Sequence, residues 1–327
     1  MKIFTYILLG IVALFLLLKI WLMLQPLEIR DTIIDIGPGE NASTIADSLL
    51  KHSIIRSKFW FLFFIKSQDI EHELKQGKYL FTGKQSLSDV IDKIHLAKVV
   101  LKRITLPEGL TALETIELLT KKKLGKAEQF RNIIFDSPTA SRLTGMEVPS
   151  LEGFLYPETY YLPHNASEIY IIETLVNQFF KVTAEILIPP DSDITFYEYL
   201  VLASIIEEEA LFRFEKPLIA SVYRNRIDSG WKLEADPTIL YALELKGERP
   251  RRVLYRHLKI ESPYNTYRNN SLPPTPICSP AISSINAAIK PASTGYYFFF
   301  ATRGGKHIFS ETFQQHIARQ KAIKSGI

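Results

Sequence analysis

The chain has 327 residues, 46% of them hydrophobic, with a formal net charge of +4. That is enough apolar material for a large core in two or three domains, and too small a charge bias to point to nucleic acid. A single cysteine, Cys278, excludes an intrachain disulfide framework and a multi-cysteine metal site; beside Pro280 it reads as a small, semi-buried packing residue. Ile3 to Leu24 is a 22-residue apolar run broken only by Thr5, Tyr6, Gly10 and Lys19. At about 1.5 Å per residue it reaches roughly 33 Å, enough to span a bilayer, and Lys19 lies near one end where its stem can snorkel. The bulky stretch Leu24-Gln25-Pro26-Leu27 offers no small-x-small cleavage site, so the run reads as an uncleaved signal anchor. Its short flank, with Lys2, places the N-terminus in the cytoplasm and everything after Gln25 outside.

The next segment carries a weak internal repeat. Thr32 to Ile36 alternates as a strand, GPG turns, and Asn41 to Lys51 has helical spacing; seventy positions on, Val99 to Leu106, PEG and Thr111 to Lys122 do the same. Thr111 and Glu114 have capping-box spacing. Between the copies lie a helix at Lys58 to Lys66, a strand at Gly77 to Phe81 and a helix at Ser86 to Ala97. Strand, helix, helix, strand is the plan of a small LysM-like carbohydrate-binding module, or of a spacer that holds the rest away from the membrane.

Ser137 to Pro149 reads as a loop. LEGFLYPETYYLP, residues 151–163, is dense in aromatics and carries Glu152; such residues suit a sugar-binding cleft and equally a core. Glu168 to Leu187 is an amphipathic helix. The central element is Thr195 to Leu211, where Thr195 and Glu198 form a second capping box and an almost wholly apolar helix ends in Glu207, Glu208 and Glu209. At about 100° per residue the three carboxylates diverge, so at least one faces a cleft or the interior, where burial raises a carboxyl pKa toward that of a useful acid. Helices follow at Leu218 to Ile227, bearing Tyr223, Asn225 and Arg226, and from Asp236-Pro237 to Leu245. The proline-rich stretch from Ser262 to Ile277 reads as an ordered loop, Tyr296–Thr302 and His307–Ser310 as a hairpin, and the end of the chain as a helix. The seven histidines show no metal-ligand spacing, and no nucleophile elbow or phosphate loop is present.

The ordered series LPEGLT, LEGFLYPETY, ASIIEEEA, VYRNRI, LEADPTILYAL, SPYNTY and LPPTPICSPAISSINAAIKP resembles the YceG-like, or MltG, family of membrane-anchored endolytic murein transglycosylases of bacteria. The resemblance runs from about residue 30 to the end. It implies an α+β chain: an anchor over 1–25, a LysM-like βααβ subdomain over 26–98, and a mixed α+β catalytic domain over 99–327. It implies cleavage of MurNAc-β-1,4-GlcNAc bonds in nascent peptidoglycan glycan strands to 1,6-anhydro-MurNAc ends, terminating their elongation. No cofactor or metal is implied; coupling to penicillin-binding synthases at the cytoplasmic membrane is. The family motif assigns the catalytic carboxylate to Glu207; from helix spacing, Glu209 has Arg213 four residues on as an ion-pair partner and reads as electrostatic support or equally as a structural residue, and Glu208 reads as solvated. Glu152, Glu209, Asn225, Asp236, Asn265, Thr266 and Tyr267 are candidate substrate contacts. Departures from the family pattern are Glu234 in place of the usual Gln, and Ser271, Thr275 and Ala281 in place of glycines. A non-catalytic, membrane-anchored peptidoglycan-binding scaffold is the rival reading.

Overall fold

The computed structural model describes Trp21 and residues 25–164, 166–190 and 192–324. The expected membrane span therefore lies, apart from Trp21, outside the described residues; among these no helix is long and apolar enough to cross a membrane. The chain is α+β and divides into two compact units: residues 1–103 with 161–166, and 104–160 with 167–327.

In the first unit, strand β1 (Leu27–Ile36) pairs antiparallel with β2 (Gly77–Gln85), Leu27 opposite Gln85 and Ile36 opposite Gly77, with a register shift between Ile29 and Thr32. Helices α1 (Ala42–Lys51) and α2 (Lys58–Ser67) come between them, and α3 (Leu87–His95) follows. The expected strand–helix–helix–strand order is present. Asn41, Ser57 and Ser86 each accept an amide of the first helical turn, which supplies starts that short helices need. Ile34, Ile36, Leu49, Phe61, Ile65, Tyr79, Phe81 and Ile94 meet in one core.

A second pair of short strands, β3 (Leu101–Thr105) and β4 (Thr159–Pro163), forms its own two-stranded sheet. After β3 comes α4 (Ala112–Lys121), and its Thr111–Glu114 capping box forms in both directions. The internal repeat has a backbone counterpart: Gly39 (φ +73°) and Gly109 (φ +82°) both turn the chain into a capped helix. Helices α5 (Ala127–Ile134) and α6 (Ser137–Thr144) follow. The second corrects the loop expected at 137–149. Asp136 caps it, Pro138 sits in its first turn and Gly145 closes it, so local end signals outweigh a Ser- and Thr-rich composition.

Helix α7 (Glu168–Thr183) leads to α8 (Phe196–Glu209), whose residues Tyr199 to Ile206 are all buried. Each large apolar side chain so buried contributes roughly 1.5–3 kcal/mol. Around α8 pack α9 (Lys216–Asp228), α10 (Asp236–Glu244) and α11 (Ile282–Ile289). The hairpin β5 (Phe298–Ala301) and β6 (His307–Ser310), with Phe298 opposite Ser310, and α12 (Phe313–Lys324) complete the unit. The proline-rich loop is tied to α8 by Ser204, the one polar residue in that buried stretch. Its Oγ accepts the amide of Ile277 (3.0 Å) and its carbonyl accepts the Cys278 thiol (3.3 Å), so Cys278 is fully buried, deeper than expected.

Gly153 is where this loop comes closest to the LEGF segment. At φ +88° a Cβ there would lie 2.5 Å from Cγ of the Pro276 ring. Gly153→Ala is expected to lower stability by roughly 1–3 kcal/mol, from overpacking and a disfavoured backbone angle, measured as a shift in the urea unfolding midpoint at unchanged m.

Candidate active site

The three glutamates that end α8 enter three environments. Glu207 points into the helix bundle, its side chain 8% exposed against 3% for Lys216. The Lys216 ammonium donates to both of its oxygens (2.9 and 3.0 Å) and also to Ser283 Oγ (3.0 Å). The Ala281 amide (2.9 Å) and the Ser284 hydroxyl (2.7 Å) donate to Oε2. The ammonium has all three protons engaged, and the carboxylate is held by donors from α9 and from the start of α11. This joins three helices around one ion pair.

Glu208 is exposed as a residue, but its carboxyl lies against the protein rather than free in solvent as expected. Its Oε1 lies so close to Gly109 that a Cβ there would be 2.8 Å away. It borders an open cavity of about 200 Å³ with Glu114, Glu244 and Arg249. Desolvation at this wall, reinforced by Glu114 and Glu207, pushes the carboxyl up to about 7.

Glu209 lines a separate cavity of about 230 Å³, whose walls include Tyr223, Arg226, Glu234, Asp236, Tyr267 and His307. Burial pushes its carboxyl up to about 7; the Tyr223 hydroxyl, donating to Oε1 at 2.9 Å, and the Arg226 charge pull the other way. The expected ion pair with Arg213 is absent, because Arg213 opens a short 3-10 turn and Tyr223 takes its place. Asp236 accepts from the Tyr267 hydroxyl (2.6 Å). Glu234 stands at φ +51° with its carboxylate 3.6 Å from Arg226. Behind the wall, the amide and Nδ1 of His307 each donate to buried Glu215, both at 2.9 Å.

Of the sequence candidates, Glu209, Asp236 and Tyr267 meet at this cavity. Four others are turned to structural work. Asn225 donates to the carbonyls of Thr294 and Tyr296, binding α9 to the approach to β5. Asn265, fully buried, donates to the carbonyls of Leu258 and Ile260 and accepts the Tyr267 amide. Thr266 Oγ1 accepts the Ala235 amide and fixes the start of α10. Glu152, also fully buried, accepts from the Ala112 amide and the Tyr241 hydroxyl (2.8 Å). Missed at the level of sequence were Lys216, Ser284 and His307. Lys216 opens a helix beside a proline and looks like a surface lysine, while Ser284 and His307 gain their roles only through contacts 77 and 92 residues away.

Two stability outcomes follow. Burial pushes the Glu152 carboxyl up to about 8 from an ordinary 4.5. The folded chain thus holds a proton that the unfolded chain releases between those values, so stability falls as pH rises from about 4.5 to about 8. Thermal melts across that window should show the fall, and Glu152→Gln should flatten it, with a difference on the order of 5 kcal/mol at the upper end. Glu207→Gln leaves the Lys216 ammonium buried without its counter-ion and is expected to cost about 3–5 kcal/mol in denaturant unfolding.

Comparison with known proteins places this geometry in context. The model of the YceG-like family matches residues 34–322. The endolytic murein transglycosylase of Bacillus subtilis (strain 168) is 31% identical, over 93% of this chain and 89% of its own length. That of Streptococcus pneumoniae serotype 2 is 26% identical over 86% of this chain, which spans 56% of the pneumococcal protein. A crystal structure of a yceG-like protein from Listeria monocytogenes superimposes with a TM-score of 0.60 at 28% identity, covering 88% of this chain and 98% of that one. The chain belongs to the YceG-like family.

Proposed function

We propose that this chain is an endolytic murein transglycosylase, a lyase that cuts MurNAc-β-1,4-GlcNAc bonds within glycan strands, and that Glu209 is its acid and base. Membership of the YceG-like family and its relatives' identity as endolytic murein transglycosylases support the reaction. The single observation that carries the residue assignment is the contrast between neighbouring carboxylates. Both oxygens of Glu207 are taken up by an ion pair and two further donors. Glu209 opens on a cavity and holds a proton near neutrality.

In this mechanism Glu209 protonates the glycosidic oxygen as the bond to C1 of MurNAc breaks. The resulting carboxylate then takes the proton of the muramyl C6 hydroxyl as that oxygen closes on C1, which forms the 1,6-anhydro ring and restores the acid. Intramolecular attack reaches effective molarities of about 10⁵ M or more when well oriented, so the protein needs no nucleophile of its own. The Tyr223 hydroxyl on Oε1 orients the carboxyl and leaves Oε2 for the substrate. Asp236, held by Tyr267, is placed to accept from sugar hydroxyls.

The remaining parts of the proposal concern setting. Ile3–Leu24 would anchor the chain in the bacterial cytoplasmic membrane, with the N-terminus inside and the catalytic domain outside. The first unit would serve as a LysM-like glycan contact; supporting this is its open cavity of about 830 Å³, lined by Gly37, Asn41, Ser43, His72 and Lys75 among others. Penicillin-binding synthases, which supply nascent strands, would be the protein partners.

The test is a digest of purified murein by the full chain, followed by mass spectrometry of the products. The parent should release 1,6-anhydro-muramyl ends, and Glu209→Gln should lose activity by about 10²–10⁴-fold at unchanged stability. Its kcat/KM should fall as pH rises through about 7, because the acid must enter protonated. Reducing ends would mean a hydrolase, and full activity in Glu209→Gln would return the role to Glu207. Cleavage by no variant or parent, with murein binding retained, would favour the scaffold.

A further inference from the structure

Helix α2, KFWFLFFIKS, is apolar on two sides, and only one is used. Phe61 and Ile65 fill the core of the first unit. On the opposite side Phe59 is 66% and Phe63 51% exposed, and the half-buried Trp60 and Phe64 flank them, Phe64 also packing against the core. The rings are ordered against one another. Phe59 and Phe63 stack at 6.3 Å, Trp60 meets them edge-on at 5.3 and 5.6 Å, and Phe64 lies 6.2 Å from Trp60. A contiguous aromatic face in water is costly unless something covers it.

Two observations point to the occupant. The chain enters the described unit beside this face: Arg56 Nη1 donates to the carbonyl of Gln25 (2.8 Å), and Gln25 and Trp60 line the same small crevice. Gln25 directly follows the apolar run Ile3–Leu24, so whatever receives that run begins within a residue or two of the face. The stretch itself is basic as well, with Lys58 paired to Asp47 at 2.7 Å. Residues 51–66 carry Lys51, Arg56, Lys58 and Lys66 and no Asp or Glu. Aromatic side chains framed by basic ones suit the boundary between acyl chains and anionic headgroups. The amides of Gln25 and Gln85 reach only the crevice beside Trp60, and the rings of Phe59 and Phe63 are the most exposed part of the face.

We propose that the face formed by Phe59, Trp60, Phe63 and Phe64 docks on an anionic lipid bilayer, a second membrane contact beside the point where the chain leaves the membrane. The proposal rests on the reading of Ile3–Leu24 as an anchor. Partition of two or three aromatic rings, with basic residues around them, adds attraction to the bilayer without inserting another span. It also restricts the rotation of the first unit about the anchor.

The test uses the full chain in vesicles of phosphatidylglycerol and phosphatidylethanolamine with brominated acyl chains, which quench tryptophan by contact. Trp21→Phe with Trp231→Phe leaves Trp60 as the reporter; Trp60→Phe with Trp231→Phe leaves Trp21, inside the apolar run. The expected result is quenching of both reporters, a blue-shifted Trp60 emission, and loss of most of the Trp60 quenching in Phe59→Ser/Phe63→Ser while Trp21 is unaffected. Both serines replace exposed rings, and circular dichroism verifies the fold. Trp21 quenched and Trp60 not would overturn the docking proposal and leave the anchor standing. Neither quenched would refute the anchor and the docking with it. Trp60 shielded from aqueous iodide only at high protein-to-lipid ratio, or only on addition of murein fragments, would assign the face to a second copy or to glycan and overturn the proposal.

Discussion

The buried pair of Glu207 and Lys216 is the contact on which the catalytic unit turns. Two charges with side chains under a tenth exposed carry a desolvation cost of several kcal/mol each, and the arrangement is stable only because every acceptor and donor is used. One carboxylate receives protons from a helix nine residues on and from the start of another more than seventy residues on. α8, α9 and α11 are thereby locked in one rotational setting. Since successive residues of a helix differ by about 100°, locking Glu207 inward also fixes where Glu208 and Glu209 point. The ion pair thus aims the carboxylates beside it.

Much of this architecture could be read from local signals. The capping boxes at Thr111 and Thr195 both form, because a side chain and an amide three residues apart need no help from the rest of the chain. The apolar run of α8 announced its burial for the same reason. α11 was harder: Ile282–Ile289 is short, has no side-chain cap, and follows a run of prolines that suggests a loop. The hydrophobic contact with α8 makes it a helix, and that contact is not local.

The site was legible in part. Three diverging glutamates could be recognised from their spacing, and Asp236 and Tyr267 from their place in polar, proline-bounded segments. Which glutamate opens on the cavity could not, since this depends on Lys216, Ser284 and the Ala281 amide converging from elsewhere. Asn225, Asn265 and Thr266 are polar residues in loops and helices whose hydrogen bonds are spent on backbone atoms. A side-chain amide that satisfies a buried carbonyl looks, in one dimension, the same as one that awaits a sugar. The departures from the family pattern fit this view. Ala281 contributes its amide, which any non-proline residue supplies, and Thr275 is bonded to the Tyr264 hydroxyl and the Pro276 carbonyl.

The other carboxylates around the cavity bear on mechanism. Asp236 is engaged by the Tyr267 hydroxyl, Glu234 by Arg226, and Glu215, behind the wall, by His307. Each is held as an acceptor by a donor within the protein. Glu209 has the neutral Tyr223 phenol as its hydrogen-bond donor and the Arg226 charge to set against its burial, and burial prevails, pushing its carboxyl up to about 7. A glycosidase that works through two carboxylates needs one protonated and one free to attack or to activate water. Under the proposed assignment Glu209 is the first, and no second carboxylate is required to attack. The cavity suits a reaction in which the second group comes with the substrate, as the muramyl C6 hydroxyl does.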